Sequence, residues 1–357
     1  MLVTEMLKLA PTTEQADALT ATMHACNQAA NHAAAVAYRN RTASKFAVQK
    51  LCYSDLRTQH GLSAQMAIRA IAKACEALKR DKNIQPVFRP DGAIQYDPRI
   101  LSFKGRDRVS ILTLTGRIIV PVVYQGRWNA TGKYALRGQA DLVSRDGMWF
   151  LAVVLDIPEP PVGPEPAGWI GVDRGIVNLA TDSDGGNHCG KAVRAVRYRN
   201  RALRAKLQAK GTKSAKRLLK KRARKEARFA RDVNHRIAKQ LVGKAQDTGR
   251  GIKLEDLSGI RDRVTVRRAQ RADLGSWAFA QLGQFIVYKA ALAGVAVALV
   301  DPRNTSRECP ACHLIDKRNR RARDWFRCIR CGHAGPADHI GAVNIAARAA
   351  VIRPDAA

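Results

Sequence analysis

Acidic residues are scarce in this chain of 357 residues. Asp and Glu total 30 against 62 Lys and Arg, so the formal net charge is +32. That imbalance excludes an ordinary soluble protein and favours a polyanionic partner, of which nucleic acid is the usual one. A ribosomal or histone-like basic protein is the alternative. Such chains are commonly short or poor in apolar residues, whereas this one is 46% hydrophobic, which also excludes a disordered chain.

Long apolar runs are absent as well. The sequence contains no stretch of 18 or more apolar residues and no basic N-terminal segment followed by an apolar one with a cleavage site. We therefore expect no membrane span and no secretory leader, and a cytoplasmic protein associated with the nucleoid. The distribution of four cysteines, which occur singly, agrees with a reducing compartment: Cys26, Cys52, Cys75 and Cys189.

The first 160 residues divide into a helical part and a β-rich part. A capping box from Thr12 to Gln15 precedes an Ala-rich stretch with helical spacing, and two further helical patterns follow to about Lys79. Short β-rich segments separated by Gly, Pro and Asp begin at Pro86. This order predicts a helical domain at 12–84 and a β-barrel-like domain at 1–11 and 85–160, with the strand that opens the chain at its edge.

A proline-rich stretch and a basic segment follow. Residues 158–166 predict a linker, because so many prolines cannot supply hydrogen bonds to a β-ladder. Residues 191–246 have a helical pattern and carry far more Lys and Arg than acids. Like charges repel along a helix unless an anion neutralises them, so this segment predicts a helical hairpin that faces a phosphate backbone. A solvated helix face is the alternative.

The four remaining cysteines form two C-x2-C pairs separated by fifteen residues. This spacing is typical of a zinc ribbon, in which each pair offers two thiolates to one ion, whereas two separate redox pairs are the alternative. Four thiolates leave no open coordination position, so the ion would have a structural role. We expect one Zn2+, in a ribbon at 305–336, bound by Cys309, Cys312, Cys328 and Cys331.

Three acids occur in or beside apolar segments. Asp173 lies in the strand pattern GWIGVD, Glu255 lies in GIKLEDL, and Asp338 begins a short amphipathic helix. Carboxylates gathered at one point repel one another unless a divalent cation neutralises them, and oxygen ligands favour Mg2+ or Mn2+. Two such ions about 4 Å apart are the usual arrangement for phosphodiester hydrolysis. The pattern predicts a magnesium site at these three residues.

Acids in and near these segments also suit purely structural roles. Asp182 and Asp184 suit the turn of a strand pair, and Asp256 should point to the strand face opposite to Glu255. Asp338 by itself could be a helix N-cap. Taken singly, none of these residues identifies a catalytic site.

Several segments between about 168 and 348 share one family pattern. They are GVDRGIVNLAT at 171–181, LEDLSGIR at 254–261, the run from Trp277 to Gly294, and the segments TSRECPAC, FRCIRCG and ADHIGAVNI. Together they resemble the C-terminal half of TnpB proteins, which are transposon-encoded RNA-guided DNA nucleases related to the type V CRISPR effectors.

The resemblance implies a multidomain α+β fold. The β-rich domain would be a wedge domain and the helical one a recognition domain. An RNase H-like RuvC nuclease domain would occupy 161–304 and 337–357, with the basic helices and the zinc ribbon inserted. Asp173, Glu255 and Asp338 would be its catalytic acids, in the family's D, E, D order.

The resemblance also implies a function. We expect an RNA-guided, metal-dependent endonuclease that cuts double-stranded DNA beside a short flanking motif, with a guide RNA from the transposon end. No membrane partner is expected, and the protein should be a monomer. A guide-dependent DNA-binding repressor without cleavage is the alternative, although the intact acid triad argues against it. A transposase proper is disfavoured because the sequence lacks a His-hydrophobe-His motif.

Three sites depart from the family pattern. His313 follows the first cysteine pair where Gly is usual, and Asp324 stands four residues before Cys328 where Arg is usual. The segment that begins at Asp338 lacks one Asn and one Ala of the usual motif, with Gly341 at the Ala position. None of these changes removes an expected metal ligand, so activity is still expected.

Overall fold

The structure, a computed structural model, divides the chain into two compact units, Met1–Pro158 and Glu159–Ala357. Residues 259–278, which include an Arg-rich segment and the start of the run from Trp277, lie outside the described residues. No helix within the described ranges is long and apolar enough to cross a membrane. The structure describes residues 2–123, 135–136, 138–158, 160, 165–258 and 279–351.

The first unit contains an eight-stranded antiparallel sheet in the order β2-β7-β8-β1-β5-β4-β3, with β6 beside β8. Its strands are β1 Leu2–Leu9, β2 Ile94–Tyr96, β3 Leu101–Lys104, β4 Arg108–Thr113, β5 Gly116–Val123, β6 Ala135–Leu136, β7 Ala140–Arg145 and β8 Met148–Asp156.

Two sequence expectations for this sheet were wrong. Strand β1 lies inside the sheet and not at its edge, because it pairs along its whole length with the apolar strand β8 and also pairs with β5. The segment 87–90 forms no strand. The side chain of Asn31 bonds both backbone groups of Phe88, at 2.7 and 2.9 Å, and so takes the place of a ladder partner.

Three helices complete the first unit: α1 Thr13–Arg39, α2 Lys45–His60 and α3 Ala64–Arg80. Thr12 and Gln15 form the expected capping box, and Ser44 and Ser63 cap the next two helices. Helix α1 packs closely against α3 because a run of alanines on its inner face is fully buried. The helical pattern of the sequence is therefore confirmed here.

The second unit is built on a five-stranded mixed sheet in the order β11-β10-β9-β12-β13. Strands β9 to β11 are antiparallel, whereas β12 and β13 run parallel to β9. The strands are β9 Trp169–Asp173, β10 Asn178–Asp182, β11 Asn187–Cys189, β12 Gly251–Glu255 and β13 Val297–Val300; the helices are α4 Lys191–Lys210, α5 Lys213–Asp247, α6 Phe279–Ala293 and α7 Ala337–Ala347.

Strand alternation separates the two faces of this sheet. Ile170, Val172, Ile252 and Leu254 are buried in one core with residues of α5 and α6. The intervening residues point to the other face, where α7 packs. There a Cβ on Gly171 would collide with the backbone of Ala342 and Ala346, so the helix lies directly on β9.

The cysteine-rich segment forms a small subdomain of its own in this unit. It has a 3-10 helix at Lys317–Arg320 and a two-stranded antiparallel sheet of β14 Trp325–Arg327 and β15 Ala334–Pro336. Its small core includes the fully buried Phe326 and the α7 residue Ile340. Residue Ala337 follows β15 directly, so the subdomain leads straight into α7.

Candidate active site

Strand register brings two of the predicted acids together. Strands β9 and β12 run parallel, with Val172 opposite Leu254, so Asp173 and Glu255 follow at the same edge of the sheet. Both side chains alternate away from the core formed with α5 and α6, onto the face that carries α7. Asp173 is the last residue of β9, and Glu255 is the last residue of β12.

Helix α7 supplies the third acid. Its N-cap is Pro336 and has no side-chain cap, so Asp338 lies in the first turn and does not act as a cap. One oxygen of Asp338 accepts a hydrogen bond of 2.9 Å from the side-chain amide of Asn178 on β10. One turn further along, a Cβ on Gly341 would lie 3.0 Å from Oδ2 of Asp173. The helix therefore runs past Asp173 at contact distance.

Asp173, Glu255 and Asp338 line one open cleft of about 620 Å³. Burial raises the pKa of Asp173 to about 7, with further contributions from the negative charges of Glu255 and Asp338. Burial also raises the pKa of Glu255, although the hydrogen bond from Thr305 and the charge of Arg174 oppose that shift. Carboxyl groups that hold a proton for these reasons can instead bind a cation, which takes the place of the proton.

The carboxylates do not form a closed cage for one ion. Within the described ranges, the four clustered cysteines are the only group of three or more His, Cys, Asp or Glu side chains whose ligand atoms all lie within 4.8 Å of one another. The three acids thus share a cleft at wider spacing than the cysteines. Asp338 has 29% of its side chain exposed.

Sequence reasoning missed the cations that accompany these acids. Arg174, the residue after Asp173, is buried, with 8% of its surface exposed. Arg320 lies 3.4 Å from Oδ1 of Asp338 and lines the cleft together with Arg323. Asp324, which stands where the family pattern has Arg, also lines the cleft. Arg320 and Arg323 of the same cysteine-rich segment supply positive charge to this cleft.

The remaining acids have the structural roles that the sequence left open. Asp182 accepts two backbone hydrogen bonds in the turn after β10 and forms a 2.7 Å ion pair with Lys244. Asp184 pairs with Lys244 and Arg250, which holds its pKa well below the usual range. Asp256 lies beyond β12 and accepts hydrogen bonds from Ser258. None of the three lines the cleft.

The four clustered cysteines converge on one point. Sγ of Cys309 lies 3.6 Å from that of Cys331, and Sγ of Cys312 lies 3.5 Å from that of Cys328. A tetrahedron with Zn–S bonds of about 2.3 Å requires sulfur separations of about 3.8 Å. The short separations also join one C-x2-C pair to the other, which argues against two independent redox pairs. His313 is mostly exposed and is not part of the cluster.

Protein-family models match two segments of the chain. A model described as a probable transposase, OrfB_IS605, matches residues 152–258, and one described as the Cas12f1-like TNB domain matches residues 279–345. In these segments the chain is similar to TnpB proteins and the type V effectors. The resemblance found in the sequence is thereby confirmed.

Curated relatives agree. The chain is 40% identical over 123 residues to the CRISPR-associated endodeoxyribonuclease Cas12f1 of Sulfoacidibacillus thermotolerans. This match covers 34% of this chain and 28% of that protein. It is also 33% identical over 132 residues to a TnpB-like protein of Methanocaldococcus jannaschii. That match covers 36% of this chain and 46% of the relative. The chain thus matches less than half the length of these relatives.

A solved structure shares the fold. The cryo-EM structure of a Cas12f1–sgRNA–target DNA complex superposes with a TM-score of 0.64 at 15% identity, over 94% of this chain and 83% of that one. The chain therefore has a Cas12f-like multidomain fold of mixed α and β elements with a four-cysteine cluster.

Proposed function

We propose that the protein is an RNA-guided, metal-dependent endonuclease that cuts double-stranded DNA beside a short flanking motif. The observation that carries this proposal is the convergence of Asp173, Glu255 and Asp338 from three separate elements on one cleft. On this proposal the mixed sheet and its helices form the RNase H-like RuvC domain. In the first unit the sheet would be the wedge domain, and helices α1 to α3 would be the recognition domain.

The three carboxylates would hold Mg2+ or Mn2+. All of them offer hard oxygen ligands, and their partial burial makes three negative charges costly without a cation. When bound, a pair of such ions supplies an activated water and stabilises the leaving oxygen of a phosphodiester. The cysteine cluster would hold one structural Zn2+, because thiolates suit zinc and leave no open position.

Neighbouring side chains would orient this site. Asn178 donates to Asp338, and Thr305 donates to Glu255 at 2.6 Å, so two of the three acids have a fixed hydrogen-bond donor. Arg320 and Arg323 line the cleft and would attract a phosphate to it. Asn178 and Thr305 would therefore position the acids, and the two arginines would bind the phosphate. None of these side chains is a proton acceptor in this role.

The basic hairpin of α4 and α5 would hold the nucleic acid. Residues 191–247 contain 21 Lys and Arg against three acids, and therefore carry more than half of the formal net charge. One of the acids, Glu226, accepts from Asn200 and Arg204 within the hairpin. Most of the cations are exposed along helices of about 30 and 52 Å. Such a surface suits the backbone of a guide RNA paired with its DNA target.

Cleavage by the co-expressed protein–RNA complex tests this proposal. Wild type should cut a flanked double-stranded target in Mg2+, whereas Asp173→Ala should bind the target without cutting it, and Glu255→Gln should behave in the same way. If wild type binds the target as the variants do but does not cut it in Mg2+ or Mn2+, the repressor alternative is favoured. We further propose that the complex contains one copy of the chain and acts in the cytoplasm at the nucleoid.

A further inference from the structure

Arg174 is a buried cation at the edge of the acid cleft. It follows Asp173 directly, in the turn between β9 and β10, where an exposed arginine would be ordinary. A guanidinium withdrawn from water requires nearby negative charge and firm hydrogen bonds. Burial lowers the pKa of Arg174, and the negative charges of Glu255, Asp173 and Asp256 oppose that shift. Turn formation alone therefore does not account for the burial of Arg174.

The guanidinium joins the ends of two strands. The Nη2 group of Arg174 donates a 2.5 Å hydrogen bond to the backbone carbonyl of Glu255. The parallel ladder between β9 and β12 reaches its last pair at Val172 and Leu254, one residue earlier on each strand. The arginine side chain thus continues the connection at the point where Asp173 and Glu255 project into the cleft.

Gly283 of helix α6 lies beside this guanidinium. A Cβ added to Gly283 would collide with Nη1 of Arg174. The helix cannot simply move away, because its residues Leu282 and Ile286 are fully buried in the core under the sheet. Gly283 therefore forms one wall of the pocket that fixes the guanidinium against the carbonyl of Glu255.

We propose that Arg174, held between Gly283 and the carbonyl of Glu255, is a positioning residue that sets the end of β12 so that Glu255 can bind a divalent cation together with Asp173. This inference rests on the proposed metal site. It concerns the geometry of the site and assigns Arg174 no contact with the substrate.

Mn2+ titration of the zinc-loaded protein, followed by the electron paramagnetic resonance signal of free Mn2+, tests the proposal without nuclease activity. Arg174→Lys keeps the charge but loses the planar fork, and Gly283→Ala keeps the arginine but fills its pocket. Each should weaken Mn2+ binding by about 10-fold or more, as loss of a group that orients a metal ligand usually does. Because both act on one contact, the double variant should be no weaker than the worse single variant.

Gly243→Ala is the matched control, since a Cβ on this glycine of α5 would meet no atom within 4 Å. Its Mn2+ affinity should equal that of wild type, and thermal unfolding should show that every variant is folded. Unchanged affinity in Arg174→Lys and Gly283→Ala, or independent losses that multiply in the double variant, would overturn the inference. If Asp173→Ala binds Mn2+ as wild type does, the proposed metal site itself is wrong and the inference falls with it.

Discussion

The hydroxyl of Thr305 donates a 2.6 Å hydrogen bond to Oε1 of Glu255, so the loop that leads into the cysteine cluster holds an acid of the cleft. The same loop is fixed to helix α7, because the side-chain amide of Asn344 donates to the carbonyls of Thr305 and Glu308 at 2.8 Å each. The cysteine-rich segment and the acid cleft are therefore parts of one hydrogen-bonded assembly.

Replacing Thr305 with Val should weaken metal binding. The substitution leaves Oε1 of Glu255 without its hydroxyl donor, and loss of a partner for a buried polar group costs about 1–3 kcal/mol. Because Thr305 opposes the upward shift in the pKa of Glu255, that pKa should rise further. Calorimetric titration with Mn2+ measures the effect, and Thr305→Ser should restore affinity. Equal loss in Ser and Val variants would show that packing, not the hydroxyl, matters.

Replacing Gly171 with Ala should destabilise the second unit. The new Cβ would collide with the backbone of α7 at Ala342 and Ala346, and backbone cannot rotate aside as a side chain can. We expect a loss of at least about 2 kcal/mol in the free energy of unfolding, the middle of the range for overpacking. Denaturant unfolding measures it.

Gly168→Ala is the control for that substitution. At this position a Cβ would meet only the side chain of Arg250, at 3.8 Å, so stability should change little. Equal stability of the Gly171 and Gly168 variants would contradict the direct packing of α7 on β9.

Part of this structure could be predicted from the sequence, for reasons that are local. The apolar strands around Asp173 and Glu255 fix which faces their side chains occupy, and the spacing of the four cysteines determines their grouping. The structure brings both sets together as expected, although the metals and the catalytic roles stay predictions.

Long-range relationships escaped the sequence. Arg174 lies between an Asp and a Gly and has the pattern of a turn residue, yet its pocket depends on Gly283, more than a hundred residues later. The place of β1 inside its sheet likewise depends on pairing with β8, near the end of the first unit. Burial and partners of this kind arise from tertiary packing and leave no periodic signal.

Replacing His313 with Gly should stabilise the cysteine cluster. His313 has a φ of 56°, in the left-handed region, which costs a non-glycine residue about 1–2 kcal/mol. The exposed His313 side chain lies near one acid, Glu308, at 3.3 Å, so little should be lost on its removal. Slower zinc release to a chelator and a gain of about 1 kcal/mol in the free energy of unfolding are expected.

The second cysteine pair provides the reverse test. Gly332 has a φ of 75° with no atom near its Cβ position, so Gly332→Ala should lose stability through backbone strain alone. Faster zinc release from His313→Gly, or unchanged release from both variants, would contradict this explanation of the family's usual glycine.

The stability of the metal-free protein and its metal affinity should depend on pH in opposite directions. The folded protein keeps the proton of Asp173 up to about pH 7, whereas the unfolded chain loses it near 3.8. Between these values the folded state binds more protons, so the free energy of unfolding falls as the pH rises. A divalent cation displaces that proton, so its affinity should rise by up to about tenfold per pH unit below pH 7.

Mn2+ titrations between about pH 6 and pH 8 measure this dependence. Asp173→Asn, which has no titratable group at that position, should bind more weakly and show a flatter profile. A wild-type affinity that does not change over this range would contradict the assignment of the raised pKa to a metal ligand.

Anomalous diffraction at the manganese edge, from crystals of the zinc-loaded protein soaked in Mn2+, tests the central claim most directly. We predict manganese peaks in the cleft, bound by oxygens of Asp173, Glu255 and Asp338, and no such peak in Asp173→Ala. A wild-type map with zinc at the four cysteines but no manganese at the three acids would contradict the proposed nuclease site.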